Sequence, residues 1–175
     1  EKDKLERRWP AAVNFIKERK LNEFFGPEEG DIGIILLGGM YNGVMRGLQQ
    51  LGLADVYGNS AVPLYVMNVA YPTIDDEVVE FCAGKKAVII VEEGAPEYIE
   101  QTLNTLLRRR DIQTKLHGKD MLSLGGEYTA PVMMNGLKAF IETYDRLLLG
   151  NQPPVPDPTD VLNDPKVKAL AEVVP

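Results

Sequence analysis

Residues that build covalent or metal-bound frameworks are scarce in this sequence. Among its 175 residues there is one cysteine, Cys82, and one histidine, His117. An internal disulfide is therefore excluded, and neither a Cys/His zinc site nor a cysteine-ligated iron–sulfur cluster can be assembled from this chain alone. We expect a reducing, cytoplasmic environment and no metal site made from these residues.

Long hydrophobic runs and an excess of positive charge are also absent. The longest apolar runs, 34–37 and 87–91, are far shorter than the roughly 18 residues needed to span a bilayer. Lys and Arg number 19 and Asp and Glu number 26, which gives a formal net charge of −7. Because binding to a phosphate backbone needs a basic footprint, we expect neither a nucleic acid nor a membrane as a partner.

The rest of the composition is typical of a folded protein, with 45% hydrophobic and 26% charged residues. The sequence divides into a leading helical segment over 1–30, an α/β domain over 31–149 and a final segment over 150–175. Four prolines between 153 and 158 predict that the final segment is a semi-rigid linker followed by one short helix. The chain has no initial Met, and we expect it to be a piece of a longer protein.

The leading segment has the periodicity of an amphipathic helix over 3–25. Apolar residues such as Trp9 and Ile16 recur near helical spacing, with charged residues between them. Pro10 interrupts this pattern. Because proline removes a helical hydrogen bond, either a kink or the start of a new helix is expected there. The pattern stops at the Gly-Pro pair at 26–27.

From residue 31 onward, short apolar runs alternate with stretches of helical periodicity. The runs predict strands at 32–37, 64–69, 87–91 and 112–117, and the periodic stretches predict helices at 41–51, 75–82, 97–108 and 132–149. The strands are apolar at successive positions, which is typical of a parallel sheet covered on both faces by crossover helices. The predicted fold class is α/β, a three-layer α/β/α sandwich.

A glycine-rich turn, GGMYNG, follows the first predicted strand and opens a helix, which is where phosphate loops occur. A dinucleotide-binding motif that starts at Gly38 would need glycine at its third position, where this chain has Met. A P-loop ending at Gly43 would need Lys and then Ser or Thr next, where this chain has Val and Met. We therefore interpret Gly38, Gly39 and Gly43 as a tight turn with close helix–strand packing.

Polar side chains follow the other predicted strands, at the edge where open α/β sheets keep their binding crevice. Glu92 and Glu93 come directly after one strand, His117 ends another, and Tyr71-Pro72 follows a third. Two acids in such a loop either share a proton or a metal, pair with cations of a neighbouring chain, or interact with the positive end of the next helix. No partner completes a catalytic set, so we expect an interface or packing role and identify no catalytic residue.

Three motifs, AYPTIDDEV, VEEGAPEYIEQ and LHGKD, together resemble one region of the indolepyruvate ferredoxin oxidoreductases, a family of 2-oxoacid oxidoreductases. The similarity covers about residues 31–144, and the region is similar to a transketolase C-terminal-like domain. The resemblance implies a five-stranded, mostly parallel sheet with one reversed strand. The apolar pattern locates only four strands, and we expect the fifth near 121–128 or among the loops.

The resemblance also implies the activity of a parent enzyme. Such an enzyme is a homodimer that oxidatively decarboxylates aryl pyruvates such as indolepyruvate to acyl-CoA thioesters, using thiamine diphosphate, Mg, iron–sulfur (4Fe-4S) clusters, CoA and ferredoxin. The magnesium–diphosphate signature, Gly-Asp-Gly followed at a distance by Asn, is absent from this chain, as are clustered cysteines. We therefore expect an excised domain that is inactive by itself, has no cofactor of its own and serves assembly. Its partners would be other domains of the same parent chain, including a thiamine diphosphate domain after 150–175.

The competing hypothesis is a free-standing α/β domain that binds a small ligand such as a nucleotide or CoA. The glycine turn, Tyr71, Glu92, Glu93 and His117 would rim its crevice. This hypothesis predicts saturable micromolar binding with movement of the crevice loops. The assembly hypothesis predicts instead an exposed apolar patch larger than those normal for a monomer.

Overall fold

Uninterrupted apolar segments form the middle of a five-stranded sheet in the computed structural model, which describes residues 1–150. The strands are β1 (Glu23–Phe25), β2 (Ile32–Leu37), β3 (Leu64–Met67), β4 (Ala87–Val91) and β5 (Lys115–His117). Their order across the sheet is β1-β3-β2-β4-β5. Strands β3, β2, β4 and β5 are parallel, and β1 is antiparallel to β3. The reversed strand implied by the family resemblance is therefore at one edge of the sheet.

Helices cover both faces of this sheet. They are a π-helix (Lys4–Arg8), α1 (Trp9–Glu18), a 3-10 helix (Gly38–Met40), α2 (Tyr41–Gln50), α3 (Asp75–Cys82), α4 (Tyr98–Arg109), α5 (Ala130–Tyr144) and α6 (Arg146–Leu149). Helices α2 and α5 pack on one face, and α3 and α4 pack on the other. The predicted three-layer α/β/α fold is confirmed.

Strand β2 shows why its sequence is apolar at every position. Ile34 and Leu36 contribute to the core under α2 and α5, whereas Ile35 between them contributes to the core under α3 and α4. In the sheet register Ile35 lies beside Tyr65 of β3 and Ile90 of β4, and all three are buried on the same face. Side chains of a strand alternate between the two faces, so a strand covered on both sides must be apolar throughout.

The prediction of one opening helix over 3–25 is wrong at its end. Helix α1 stops at Glu18, Lys20 adopts a positive φ of 47°, and the chain reverses into β1. Phe24 stacks on Tyr65 with ring centroids 4.8 Å apart, and this contact favours an extended strand over another helical turn. Pro10 lies in the first turn of α1, directly after the π-helix, so a new helix does begin there.

Other boundaries also differ from the predictions. The fifth strand is β1, whereas the expected stretch 121–128 forms turns and bends. Strand β3 is shorter than predicted, β5 begins only at Lys115, and the last helix breaks at Asp145 into α5 and α6. The predicted linker and short helix fall in 151–175, outside the described residues. Within residues 1–150, no helix is both long and apolar enough to cross a membrane.

Candidate functional site

The topology places a crevice between the carboxyl ends of β2 and β4. The crossover from β2 through α2 leads to β3 on one side, and the crossover from β4 through α4 leads to β5 on the other. Loops that leave two adjacent strands in opposite directions open a cleft, where ligands of open α/β sheets usually bind. The residues that follow these two strands are the 3-10 helix Gly38–Met40 and the acidic pair at 92–93.

The three glycines of the turn after β2 have different surroundings. A Cβ added to Gly38 would lie 2.5 Å from Asn68 Oδ1 and 3.3 Å from Asn68 Cα, so glycine allows two loops to approach closely there. A Cβ added to Gly43 would meet only the Met133 methyl group, at 3.7 Å. A Cβ added to Gly39 would meet nothing within 4 Å. Close packing therefore explains Gly38, whereas Gly39 borders open space at the crevice.

Glu92 is buried and caps α4 from a distance. The side chain follows β4 and is 7% exposed. Both of its carboxylate oxygens accept the Ile99 backbone N–H at 3.0 Å, and one also accepts the Glu100 N–H at 3.2 Å. Residue Glu97, directly before α4, makes no side-chain cap. The carboxylate of Glu92 thus binds the otherwise unpaired N–H groups at the positive end of this helix, which is one of the interactions expected from the sequence.

Lys119 holds the loop after β5 against the end of β4. Its Nζ donates hydrogen bonds to the Glu92 carbonyl oxygen and to the Tyr128 hydroxyl, the latter at 2.6 Å. Its backbone N–H donates to Glu100 Oε2 at 3.0 Å. Glu93 binds the same loop, because its Oε1 accepts a hydrogen bond from the Tyr128 backbone N–H at 2.8 Å. The two acids therefore serve different partners and do not share a proton.

His117 belongs to a second hydrogen-bonded chain. Its Nδ1 lies 2.6 Å from Asp120 Oδ2 and its Nε2 lies 2.6 Å from the Tyr144 hydroxyl. With the ring proton on Nδ1, the Tyr144 hydroxyl donates to Nε2, so the ring links the loop after β5 to the end of α5. Burial opposes ionisation of Asp120, but the Gly118 N–H and the His117 ring outweigh it and hold the pKa of this carboxyl below its usual value.

Tyr71 and Pro72 lie in a third cluster. The Tyr71-Pro72 peptide bond is cis, and the Tyr71 ring meets the Trp9 ring edge to face with centroids 5.1 Å apart. Tyr71 is 77% exposed. The predicted crevice residues thus divide into three groups: the glycines of the turn after β2, the tyrosine near Trp9, and the acids and histidine beside the loop after β5.

Sequence reasoning missed Lys119, Asp120, Tyr128 and Tyr144. Only Asp120 carried a local signal, since it follows His117 at a spacing of three residues. Lys119 lies 27 residues from Glu92 in sequence, and no periodicity connects the two. From the sequence alone, a lysine in a short loop after a strand is predicted to be solvated, because its contacts with distant residues are not visible.

The described residues show no site for the metal ion or the iron–sulfur cluster of the implied parent enzyme. Within residues 1–150, no group of three or more His, Cys, Asp and Glu side chains is arranged to hold a metal ion. Cys82, the one cysteine of the chain, is buried. Burial raises the pKa of its thiol to about 12, so the thiol stays protonated and does not act as a cluster ligand.

Comparison with known proteins identifies two relatives. The chain is 34% identical over 101 residues to indolepyruvate oxidoreductase subunit IorA of Methanothermobacter marburgensis. It is 30% identical over 103 residues to the subunit of the same name from Methanothermobacter thermautotrophicus. Each match covers 58% of this chain but only 15% of the relative. No protein-family model matches the chain. The predicted resemblance is confirmed, and the chain is similar to a segment of these oxidoreductase subunits.

Proposed function

We propose that this chain is an assembly domain of a thiamine diphosphate-dependent indolepyruvate ferredoxin oxidoreductase. In this proposal a homodimeric, cytoplasmic parent decarboxylates aryl pyruvates to acyl-CoA, with ferredoxin as the electron acceptor. Other domains of the same parent chain bind thiamine diphosphate, Mg, the iron–sulfur clusters and CoA. The similarity to two IorA subunits supports the choice of parent, and the matched 15% of their length supports the role of one domain among several.

The internal pairing of the polar groups at the carboxyl edge carries the proposal. Glu92 is bound to the first turn of α4, Lys119 to the Glu92 carbonyl and Tyr128, and His117 to Asp120 and Tyr144. Catalysis by acid, base or nucleophile needs a group that can reach a substrate. Side chains that already satisfy one another favour a rigid surface over a reaction centre.

Exposed apolar side chains on the same edge support a contact with other domains. Tyr71, Tyr98 and Leu124 follow the carboxyl ends of β3, β4 and β5, and they are 77%, 67% and 56% exposed. Because these strands are parallel, the loops that follow them share one edge of the sheet. Exposed tyrosines are typical of protein–protein contact surfaces, where Tyr anchors are enriched.

The free-standing ligand-binding function remains a second candidate because Gly39 borders open space at the cleft between β2 and β4. Calorimetric titration separates the two candidates. The purified chain is titrated in turn with thiamine diphosphate plus Mg, CoA, a nucleotide and indolepyruvate. We expect no saturable heat and no decarboxylation of indolepyruvate. Saturable binding of CoA or a nucleotide would favour the second candidate, and decarboxylation by the chain alone would contradict the assembly role.

A complementation experiment tests the assembly role directly. An indolepyruvate oxidoreductase subunit that lacks the matching segment is co-expressed with this chain, and co-purification and activity are measured. We expect Tyr98→Ser to weaken recovery of both. Tyr57→Ser is the matched control, because Tyr57 is 89% exposed but lies in the loop between α2 and β3, at the opposite edge of the sheet. Equal recovery with both variants would place the contact elsewhere.

A further inference from the structure

The stem of Lys85 is buried, whereas its ammonium reaches the surface and has no counterion in the described part of the chain. It lies just before β4 and is 8% exposed. The lysines that form ion pairs within residues 1–150 are others, such as Lys17 with Asp76 and Lys86 with Asp31. The Lys85 ammonium instead lies 4.8 Å from the centroid of the Phe81 ring. Burial lowers the pKa of Lys85, because withdrawal from water disfavours the charged form. An anion bound next to this ammonium would favour its charged form again.

Gly33 of β2 makes the position of Lys85 possible. A Cβ at this residue would lie 2.8 Å from Phe81 Cζ and 3.1 Å from Lys85 Cδ. Glycine weakens a strand interior, and it is found where another chain or side chain must approach the backbone closely. Both the ring and the lysine stem therefore lie close to the β2 backbone. Lys85 lines a surface cavity at the amino end of the strands.

This cavity has the size and the walls of a small-molecule site. It encloses about 540 Å³ next to Lys85, and its apolar walls include Phe24, Pro27, Pro63 and Phe81. Phe24 is half exposed and stacks on Tyr65. Ligand sites are commonly concave, largely apolar and furnished with a few polar groups that fix orientation. Aromatic walls next to a single ammonium favour an aromatic carboxylate.

The rim of the same cavity is acidic. Glu28 and Glu80 line it and are exposed. Neither carboxylate belongs to a side-chain hydrogen bond or ion pair found in residues 1–150. Glu77 also lines the cavity, but its Oε2 already accepts the Tyr65 hydroxyl at 2.7 Å. Two available carboxylates would repel a simple anion and attract a ligand that also carries a positive group.

We propose that this cavity binds an aromatic α-amino acid in its zwitterionic form. The ligand carboxylate pairs with the Lys85 ammonium, its ammonium faces Glu28 and Glu80, and its ring packs against Phe24 and Phe81. Each part of the ligand thus has a complementary group in the cavity. The carboxylate has the unpaired cation, the ammonium has the acidic rim, and the ring has the aromatic walls. The proposal does not rest on the assembly function, because the cavity lies at the amino end of the strands and away from the carboxyl edge.

Calorimetry or chemical-shift titration of the whole chain with L-phenylalanine and L-tryptophan tests the proposal. We expect saturable binding of at least one of them, weakened about tenfold to a hundredfold in Lys85→Met, because one hydrogen bond to a charged group is lost. Met retains the apolar stem, which preserves the packing against Gly33 and Phe81. Lys86→Met is the matched control and should leave the affinity unchanged, since Lys86 is exposed and paired with Asp31.

Two truncated ligands and a second variant make the outcome decisive. We expect 3-phenylpropionate, which lacks the ammonium, and phenethylamine, which lacks the carboxylate, each to bind more weakly than L-phenylalanine. Glu80→Gln should weaken L-phenylalanine but not 3-phenylpropionate, and it serves if Lys85→Met does not fold. The absence of saturation below about 10 mM, an unchanged affinity in Lys85→Met, or equal binding of phenethylamine and L-phenylalanine would each overturn the proposal.

Discussion

Two lysines lie over aromatic rings at opposite edges of the sheet. Lys119, at the carboxyl edge, lies 4.7 Å from the centroid of the Tyr128 ring, and Lys85, at the amino edge, lies 4.8 Å from that of Phe81. The Lys119 ammonium also donates to a backbone carbonyl and to a hydroxyl, whereas Lys85 has only the ring within residues 1–150. Both lysines therefore make a cation–π contact, but they differ in their hydrogen bonds. Lys119 connects two loops of the fold, whereas the Lys85 ammonium is available to bind a ligand.

The difference bears on how a site is located in an α/β fold. The carboxyl edge is where a ligand is usually sought, yet its charged groups are engaged with one another. The amino edge usually carries stability alone, yet it contains Lys85, whose ammonium has no acceptor within residues 1–150. Because a charge that is already paired is not free to bind a ligand, pairing is a better guide to a ligand site than position in the sheet.

Replacement of each lysine by methionine should give the largest difference in stability between the two ends of the sheet. We expect Lys119→Met to lower the free energy of unfolding by about 2–3 kcal/mol, because two hydrogen bonds from a charged group are lost. Lys85→Met should change it by less than about 1 kcal/mol, in either direction, because no ion pair is removed. Urea unfolding followed by circular dichroism measures both. Equal losses in the two variants would contradict the comparison.

The glycines of β2 and the following turn give the next largest difference. Gly33→Ala should destabilise the fold by about 2 kcal/mol, because the added Cβ overlaps the Phe81 ring in a packed layer. Gly39→Ala is the matched control, since its Cβ would enter open space. Thermal unfolding should therefore leave the Gly39 variant close to the native midpoint. A Gly33 variant as stable as the native chain would show that the ring can move away at little cost.

The two neighbouring acids should differ by a smaller amount. Glu92→Gln should cost about 1–2 kcal/mol, because a buried charged cap of α4 is replaced by a neutral one. Glu93→Gln should cost less, since Glu93 is exposed and accepts one hydrogen bond. Amide hydrogen exchange at Ile99 and Glu100 provides the local readout. Faster exchange there in the Glu92 variant alone is expected, and equal exchange in both variants would refute the capping role.

A pH titration should detect the smallest effect. The pKa of Asp120 lies below its ordinary value of 3.8 in the folded chain. A carboxyl with a lowered pKa contributes stability that is complete above the unfolded pKa and lost as the pH falls through the folded one. Asp120→Asn should therefore flatten the acid limb of the stability curve below about pH 4. Urea midpoints across that range test it, and an unchanged acid limb would mean that Asp120 is not coupled to folding.

The parts of the fold that the sequence predicted well are those fixed by local pattern. Strands β2 and β4 and helix α3 have the predicted bounds, because continuous apolar runs and an acidic helix start leave little choice of structure. Strand β1 was missed because its two phenylalanines also continue the helical spacing of α1. Their strand conformation depends on Tyr65, about forty residues away, and no local pattern records that contact.

The candidate sites follow the same rule. The sequence placed Glu92 and His117 at the carboxyl edge, because residues after parallel strands share that edge. It did not reveal Lys119, whose partners lie on other loops, or Lys85, which reads as a solvated lysine before a strand. The one available clue to Lys85 was a glycine within an otherwise bulky buried strand, at Gly33. The domain boundaries and the cofactors of the parent remain predictions.

The burial of Cys82 in α3 has a practical consequence for every one of these measurements. Its thiol is protonated near neutral pH and shielded from solvent, so maleimide reagents should not modify the folded chain. A cysteine introduced at an exposed position such as Tyr57 would then accept a fluorophore selectively. Conversely, modification of the native thiol would occur only during opening of α3. The rate of that reaction would therefore measure the rate or the extent of opening of α3, without any engineered probe.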